Sequence, residues 1–124
     1  MKKEIKTNKS PEALGPYSQA LKTDSFIFVS GQIPFNTDLE LVSEDVEEQA
    51  HQCLKNLRGI VEDSGCSMDQ VVKTTVFIKD MNNFESVNNV YSEYFTQPYP
   101  ARSCIEVARL PKDVKVEIEA IVQP

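Results

Sequence analysis

The stretch PARSCIEVARLPKDVKVEIEAI, at residues 100–121, predicts two β-strands joined by a short turn at residues 109–113. From Val114 onward, apolar residues alternate with polar ones, which is the period of a strand that buries one face. In the first strand, three side chains capable of chemistry share one face: Arg102, Cys104 and Glu106. We predict a β-hairpin whose polar side chains form either a functional site or an ordinary solvated sheet face.

The composition limits the class of protein. A chain of 124 residues has the length of one domain, and we predict a single domain over residues 1–124. No apolar run is long enough to span a membrane, and no apolar signal-peptide core follows Met1. We therefore expect a cytoplasmic protein without membrane contact.

The 13 basic and 19 acidic residues give a net charge of −6. This charge disfavours nucleic acid as a partner, because such binding depends on Lys and Arg that neutralise phosphates.

Cysteine and histidine are sparse. The sequence has 3 Cys and 1 His, with no C-x-x-C pair, which predicts neither a disulfide framework nor a metal site. The simplest interpretation of the cysteines is that of small buried hydrophobic side chains. His51 falls on the polar face of a predicted helix, and we interpret it as a solvated residue rather than a base.

The first third of the chain predicts a short strand and then a hairpin, at residues 3–7, 19–22 and 26–32. Gly31 interrupts the last of these strands, which indicates a bulge or the close approach of another group. In the loop before the hairpin, a Gly-Pro step fixes the direction of the backbone at Tyr17. Tyr17 then either caps the edge of the core or contributes to a site.

A strong helix signal follows this hairpin. Asp45 suits a helix N-terminus, an apolar stripe recurs at helical spacing as far as Val61, and Gly65 ends the helix. Residues 71–79 are rich in β-branched side chains and predict a central strand.

A second helix is expected from Asn82 or Asn83 to near Thr96. Asn88 lies at the margin of its inner stripe, as either a surface residue or part of a site. The element order is thus β-β-β-α-β-α-β-β. This order predicts an α+β fold of two layers, with both helices on one face of a mixed sheet. The uncovered face carries apolar side chains, which implies another subunit.

Four motifs, in this order along the chain, resemble the Rid family of reactive-intermediate deaminases, and its RidA subfamily in particular. The motifs are GPYSQA at 15–20, SGQIP at 30–34, VKTTVF at 72–77 and PARSC at 100–104. The segments EVARLP at 106–111 and VEIEA at 116–120 are similar to that family too. The resemblance therefore spans essentially the whole chain.

The resemblance implies a chorismate-mutase-like α+β fold, assembled as a homotrimer with three clefts between subunits. It implies hydrolysis of 2-imino acids, such as 2-iminobutanoate and 2-iminopropanoate, to 2-keto acids and ammonia. Pyridoxal-phosphate-dependent dehydratases that act on threonine or serine release these imines, and the deaminase itself is expected to need no cofactor or metal. The family's carboxylate-binding arginine falls on Arg102 and its catalytic glutamate on Glu117. Its other site residues fall on Tyr17, Asn88 and Cys104.

These residue types suit the reaction. The planar guanidinium of Arg102 can hold a carboxylate through two parallel hydrogen bonds. Glu117 is the candidate to take a proton from the attacking water, directly or through a second water. Cys104 lacks the neighbouring histidine that activates a thiol, so we expect it to line the pocket. We expect Tyr17 and Asn88 to close the pocket and Gly31 to leave room for the substrate.

The sequence leaves open the relative position of Arg102 and Glu117 and the choice between three functions. Arg102 and Glu117 meet on one face only with a suitable hairpin register, a bulge, or apposition across a subunit boundary. The function also has two alternatives. One is a non-catalytic regulator that binds small carboxylates without turnover. The other is an endoribonuclease or translation inhibitor, which the charge of −6 and the single histidine disfavour.

Overall fold

The predicted strands assemble into one six-stranded sheet in the computed structural model, which describes residues 1–124. In chain order the elements are β1 (Lys3–Ile5), β2 (Ala20–Lys22), β3 (Ile27–Gln32), α1 (Val46–Asp63), β4 (Val71–Ile78), α2 (Phe84–Tyr91), β5 (Ala101–Glu106) and β6 (Val116–Val122). Across the sheet the order is β1-β2-β3-β6-β4-β5, with β4 and β5 parallel and the other neighbours antiparallel. The predicted α+β class, element order and mixed sheet are confirmed.

The hairpin predicted for residues 100–121 is wrong. β5 pairs only with β4 and lies at the edge of the sheet, whereas β6 lies between β3 and β4. The physical reason is that β4, α2 and β5 form a crossover unit, in which a helix returns the chain to pair in parallel. The segment after β5, which includes a 3-10 turn at Pro111–Asp113, then carries the chain past β4 to the centre of the sheet.

The alternation predicted for β6 is confirmed, and it gives the sheet two different faces. Four residues of β6 are buried on the helix-covered face: Val116, Ile118, Ala120 and Val122. They belong to one hydrophobic core with the buried stripe of α1, which packs on β3, β6 and α2. On the opposite face no helix covers the sheet, and Phe28 keeps 44% of its surface exposed. No helix in the structure combines the length and apolar character needed to cross a membrane.

The first helix begins and ends as predicted. The carboxylate of Asp45 accepts a 2.9 Å hydrogen bond from the N–H of Glu48. Gly65, just beyond the helix end at Asp63, has a φ of 83°. That left-handed conformation favours glycine and stops the helix.

The second helix is shorter than predicted. It ends at Tyr91 rather than near Thr96. The amides of Glu93 and Tyr94 donate to carbonyls three residues earlier, which tightens the chain into a turn.

His51 is partly buried, whereas the sequence predicts a solvated residue. Its Nδ1 lies 3.0 Å from the hydroxyl of Tyr94, because the turn after α2 brings that tyrosine against α1. The guanidinium of Arg58 lies over the same ring, 5.2 Å from its centre. The three cysteines are free; Cys53 is fully buried as expected, and Cys66 and Cys104 are half-buried.

Asn56 of α1 ties the loop after β3 to the core, and its replacement is our first stability prediction. Its buried side-chain amide donates to the carbonyls of Ile33 and Phe35, at 3.1 and 2.9 Å. We expect Asn56→Ala to lower the free energy of unfolding by about 1–3 kcal/mol, because both partly buried carbonyls lose their donor. Urea denaturation measures this change. The control is Asn89→Ala, at an exposed site on α2. Equal effects of the two changes would contradict the prediction.

Candidate active site

Arg102 lies on the helix-covered face of the edge strand β5. Its partner in the parallel register is Thr74 of β4, which is fully buried. Nη1 of Arg102 donates a 2.7 Å hydrogen bond to Oδ1 of Asn88 in α2. The guanidinium carbon lies 4.8 Å from the ring centre of Tyr91 and 5.6 Å from that of Phe84. One amide and two aromatic faces therefore hold this side chain.

Cys104 lies two residues further along the same face. It is half-buried and packs against the hydrophobic core. Burial raises the pKa of its thiol, and the positive charge of Arg102 opposes that rise only in part. A thiol with a raised pKa stays protonated at neutral pH and is a poor nucleophile. This state suits the lining role that the sequence predicts.

Glu117 lies on the other face of the sheet. It pairs with Phe77 of β4, whereas Arg102 pairs with Thr74. Thr74 and Phe77 are separated by an odd number of positions on one strand, so their side chains point to opposite faces. Arg102 and Glu117 consequently do not meet within one chain.

Gly31 lies against the carboxylate of Glu117. It falls at the register shift of β3 between Val29 and Gln32, which confirms the predicted bulge. A Cβ added at Gly31 would overlap the carboxylate and would lie 2.9 Å from its Cδ. Burial raises the pKa of Glu117, and the negative charge of Glu119 raises it further. Glycine at this position leaves the space that the carboxylate occupies.

A cavity of about 750 Å³ opens beside Glu117. Tyr17 and Gly31 line it, and Tyr17 keeps 53% of its surface exposed, which excludes the interpretation of this residue as a cap on the core. Lys112 lines the cavity as well. Its φ of 59° and the 57° of Asp113 place two consecutive non-glycine residues in the left-handed region. Lys112 was not predicted as a site residue, because nothing in the sequence of the turn indicates this conformation.

The structure thus divides the six predicted site residues into two groups on opposite faces. The arginine group contains Arg102, Asn88 and Cys104, and the glutamate group contains Glu117, Gly31 and Tyr17. No cluster of three or more His, Cys, Asp or Glu side chains is placed to hold a metal ion.

Two aromatic residues that contact Arg102, Phe84 and Tyr91, were missed as site residues. Aromatic side chains at these positions fit the apolar inner stripe predicted for the second helix. Their spacing around Asn88 is a signal that could have found them, because positions i, i+4 and i+7 share one helix face.

Comparison with known proteins identifies the family. The family model described as Endoribonuclease L-PSP matches residues 7–123. The chain belongs to the L-PSP (Rid) family. The resemblance found in the four motifs is therefore confirmed. Among relatives of this Rid-family chain, the 2-iminobutanoate/2-iminopropanoate deaminases of Escherichia coli K12 and Salmonella typhimurium are each 52% identical to it over 124 residues, covering 98% of this chain and 97% of theirs.

Solved structures of Rid-family proteins share the fold. The crystal structure of E. coli TdcF with bound serine superposes with a TM-score of 0.93 at 46% identity, covering 98% of each chain. The Rid-family protein YyfA from Yersinia pestis has a TM-score of 0.97 at 44% identity over the full length of both chains. A RutC family protein of Pyrococcus abyssi is 50% identical over 121 residues, covering 97% of this chain and 95% of that protein.

Proposed function

We propose that this chain hydrolyses 2-imino acids, including 2-iminobutanoate and 2-iminopropanoate, to 2-keto acids and ammonia. The deaminases of E. coli and S. typhimurium support the proposal by their 52% identity. The structural observation that carries it is the state of Arg102. This partly buried guanidinium takes part in none of the five ion pairs of the chain. A charge in such a setting favours an anionic partner, and the substrate carboxylate is one.

In the proposed site, Arg102 holds the substrate carboxylate. Asn88 accepts one N–H of the guanidinium, and the remaining N–H groups of the fork are available for two parallel bonds to a carboxylate. This grip places the adjacent C=N carbon at a fixed distance from the protein. Positioning of this kind lowers the barrier before any acid–base chemistry begins.

Glu117 is the proposed acid–base group. Its carboxylate accepts a proton as water adds to the C=N carbon, and then returns a proton to the nitrogen so that ammonia leaves. The C=N double bond becomes C=O, with one water consumed for each ammonia released. The raised pKa of Glu117 brings the group nearer to neutral pH, where a carboxyl both accepts and returns protons well.

The remaining residues of the proposed site shape the pocket. The exposed Tyr17 offers its hydroxyl at the cavity beside Glu117, and Gly31 leaves the carboxylate free to occupy its position. Cys104 contributes a small neutral side chain next to Arg102, consistent with its raised pKa.

The proposed assembly is a homotrimer in which the arginine group of one subunit faces the glutamate group of the next. Two observations support it: the groups lie on opposite faces of one sheet, and the uncovered face exposes the apolar side chains of Phe28 and Ile105. Sedimentation tests this assembly. A mass near the 14.0 kDa of one chain at micromolar concentration would contradict it.

The chemistry of the substrate indicates what supplies it. Free 2-imino acids form when pyridoxal-phosphate-dependent dehydratases eliminate water from threonine or serine, so we propose a functional link to such enzymes in amino-acid metabolism. TdcF of E. coli, which is 46% identical to this chain, has been solved with bound serine. That finding supports a site for small amino-acid-like carboxylates. The cytoplasmic location expected from the sequence stays a prediction.

The two alternative functions have less support. A non-catalytic regulator would use Arg102 in the same way but would leave Glu117 without a role. The family description names an endoribonuclease, yet the net charge is −6 and the one histidine, His51, contacts Tyr94 on the helical layer. Neither feature favours cleavage of a polyanion.

A coupled assay tests the proposed function. Threonine dehydratase generates the imine, semicarbazide competes for it, and 2-oxobutanoate formation is followed with and without this protein. We expect the protein to accelerate keto-acid formation and to reduce trapping by semicarbazide. No acceleration by the wild-type chain would exclude the deaminase and leave the regulator.

Gly31 and Gly65 provide a matched pair of substitutions. Gly31→Ala should lower deaminase activity about tenfold or more, because the new Cβ displaces the Glu117 carboxylate, while stability changes little since that carboxylate can move aside. Gly65→Ala should do the reverse. It places alanine at a φ of 83° with open space around it, which costs about 1 kcal/mol of stability and leaves activity unchanged. Activity and urea denaturation of both variants check this; inverted effects would contradict it.

A further inference from the structure

One face of α2 is built around the guanidinium of Arg102. Phe84, Asn88 and Tyr91 occupy positions i, i+4 and i+7 of the helix, so their side chains form one stripe. All three contact Arg102, through two rings and one amide oxygen. These contacts link the helix directly to the strand at this site.

We propose that Phe84 and Tyr91 are positioning residues that hold the plane of the Arg102 guanidinium for binding of the substrate carboxylate. The inference rests on the proposed function, since it assigns Arg102 to that carboxylate. Phe84 and Tyr91 contact the arginine rather than the substrate, and they act through it.

The geometry of an arginine explains why such residues are useful. Its N–H groups point outward in the plane of the guanidinium, while its two faces carry no donors. Aromatic rings that contact the faces therefore leave the N–H edge free, whereas an ion pair with a carboxylate of the chain would occupy that edge. Arg102 has the rings and no ion pair. Its guanidinium carbon lies over both rings, and no carboxylate of the chain occupies its N–H groups.

Tyr91 also links the arginine to the sheet. Its hydroxyl lies 2.7 Å from Oγ1 of Thr74, the residue that pairs with Arg102 in the β4–β5 register. The contacts form a closed loop, from the backbone of Arg102 to Thr74, through two hydroxyls to Tyr91, and from its ring back to the guanidinium. A long side chain such as that of Arg102 can occupy many rotamers, and this loop of contacts restricts that freedom.

The two rings differ in what their removal would disturb. Tyr91 is 6% exposed and belongs to the hydrophobic core, so truncating it would affect folding. Phe84 is 37% exposed and lies outside that core cluster. Phe84 therefore permits the cleaner test, and Tyr91→Phe, which keeps the ring and removes only the hydroxyl, is the second variant.

The test measures binding of 2-oxobutanoate, a carboxylate that the enzyme cannot hydrolyse, by calorimetry. We expect Phe84→Leu to raise its Kd about 3- to 10-fold, in line with the loss of one cation–π contact. Phe84→Tyr restores the ring and should retain most of the affinity. In an Arg102→Lys background, the Phe84→Leu change should have a smaller effect, because the fork that it positions is gone.

Nuclear magnetic resonance of the arginine side chains gives a readout that a structural role would not move. In the wild-type chain the Nε–H proton of Arg102 should be shifted upfield by the rings, relative to Arg109, whose guanidinium contacts Asp113. Phe84→Leu should move this signal toward that of Arg109, and Tyr91→Phe should leave it upfield. The spectrum of Arg102→Lys assigns the signal.

These outcomes separate the inference from the proposed function. A wild-type chain that binds 2-oxobutanoate but fails to accelerate imine hydrolysis would exclude the deaminase and leave the positioning role intact. Phe84→Leu with unchanged Kd and an unchanged Arg102 signal would overturn the inference, as would a wild-type chain that binds no 2-oxobutanoate. Weakening by Phe84→Tyr equal to that by Phe84→Leu would also overturn it.

Discussion

Replacing Glu117 with glutamine is expected to lower kcat for imine hydrolysis by about 10²- to 10⁴-fold, the usual contribution of one acid–base group. Glutamine keeps the size and hydrogen-bonding reach of the side chain beside Gly31 but cannot accept a proton. Affinity for 2-oxobutanoate should change little, because Arg102 is the residue proposed to hold the carboxylate of that ligand. Single-turnover measurements of keto-acid release and calorimetry separate the two effects.

The pH dependence of the wild-type enzyme provides a second test of the role proposed for Glu117. In the proposed mechanism the ionised form of Glu117 is the base, and burial raises the pKa of the group. Activity should therefore fall as pH decreases through that raised pKa, at a higher pH than for an ordinary glutamate. Glu119→Gln should move this acid limb to lower pH, because the negative charge of Glu119 contributes to the rise. Full activity of the Glu117→Gln variant would contradict the assignment. So would an acid limb at the same pH in Glu119→Gln as in the wild type.

Replacing Arg102 with alanine is expected to lower kcat/KM by about 10²- to 10³-fold, because removal of one partner from a charged, hydrogen-bonded pair costs several kcal/mol. Most of the loss should appear as a raised KM. Arg102→Lys should fall between alanine and the wild type, since lysine keeps the charge and loses the planar fork. Steady-state kinetics with the coupled assay measures all three proteins.

Arg58 is a matched control for Arg102. It too stacks on a tyrosine, with its guanidinium carbon 5.2 Å from the ring centre of Tyr94, but it lies on the outer side of α1. Arg58→Ala should leave kcat/KM unchanged. If both arginine substitutions reduced activity equally, the effect of Arg102→Ala would have to be structural, and its assignment to the carboxylate would be wrong.

Local signals in the sequence were sufficient for most of the fold. The helical stripe and the Asp45 cap predicted α1, and the alternation from Val114 predicted which face of β6 is buried. The pairing of β5 and β6 was wrong because a short turn between two strand-like segments also occurs when a chain crosses to another position in a sheet. Only the recognition of β4, α2 and β5 as a crossover unit would have separated these cases. The early end of α2 depends on amides that donate to carbonyls three residues earlier. The hydrophobic periodicity of the sequence does not indicate such bonds.

The sequence proposes the residues of the site but not their arrangement in space. Arg102 and Asn88 contact each other, and Tyr17, Gly31 and Glu117 lie at one cavity, while Cys104 packs against the core two positions from Arg102. Their division between two faces follows from the strand order, and a single register error transfers a whole set of side chains to the other face. The contacts of Phe84 and Tyr91 with Arg102 were missed for a different reason. An aromatic residue on the inner stripe of a helix has the same pattern whether it fills the core or supports an arginine.

The central position of β6 has a consequence for how the protein is made. β6 alone joins β1-β2-β3 to β4-β5, so these two pieces stay separate, each with an open edge, until residues 116–122 are available for pairing. Sheets completed by such distant segments fold slowly, and their open edges invite aggregation in the meantime. Glu117 lies on that same strand. A chain still emerging from the ribosome therefore lacks the proposed acid–base group, and if Glu117 has that role, the ability to react arrives together with the last step of sheet formation.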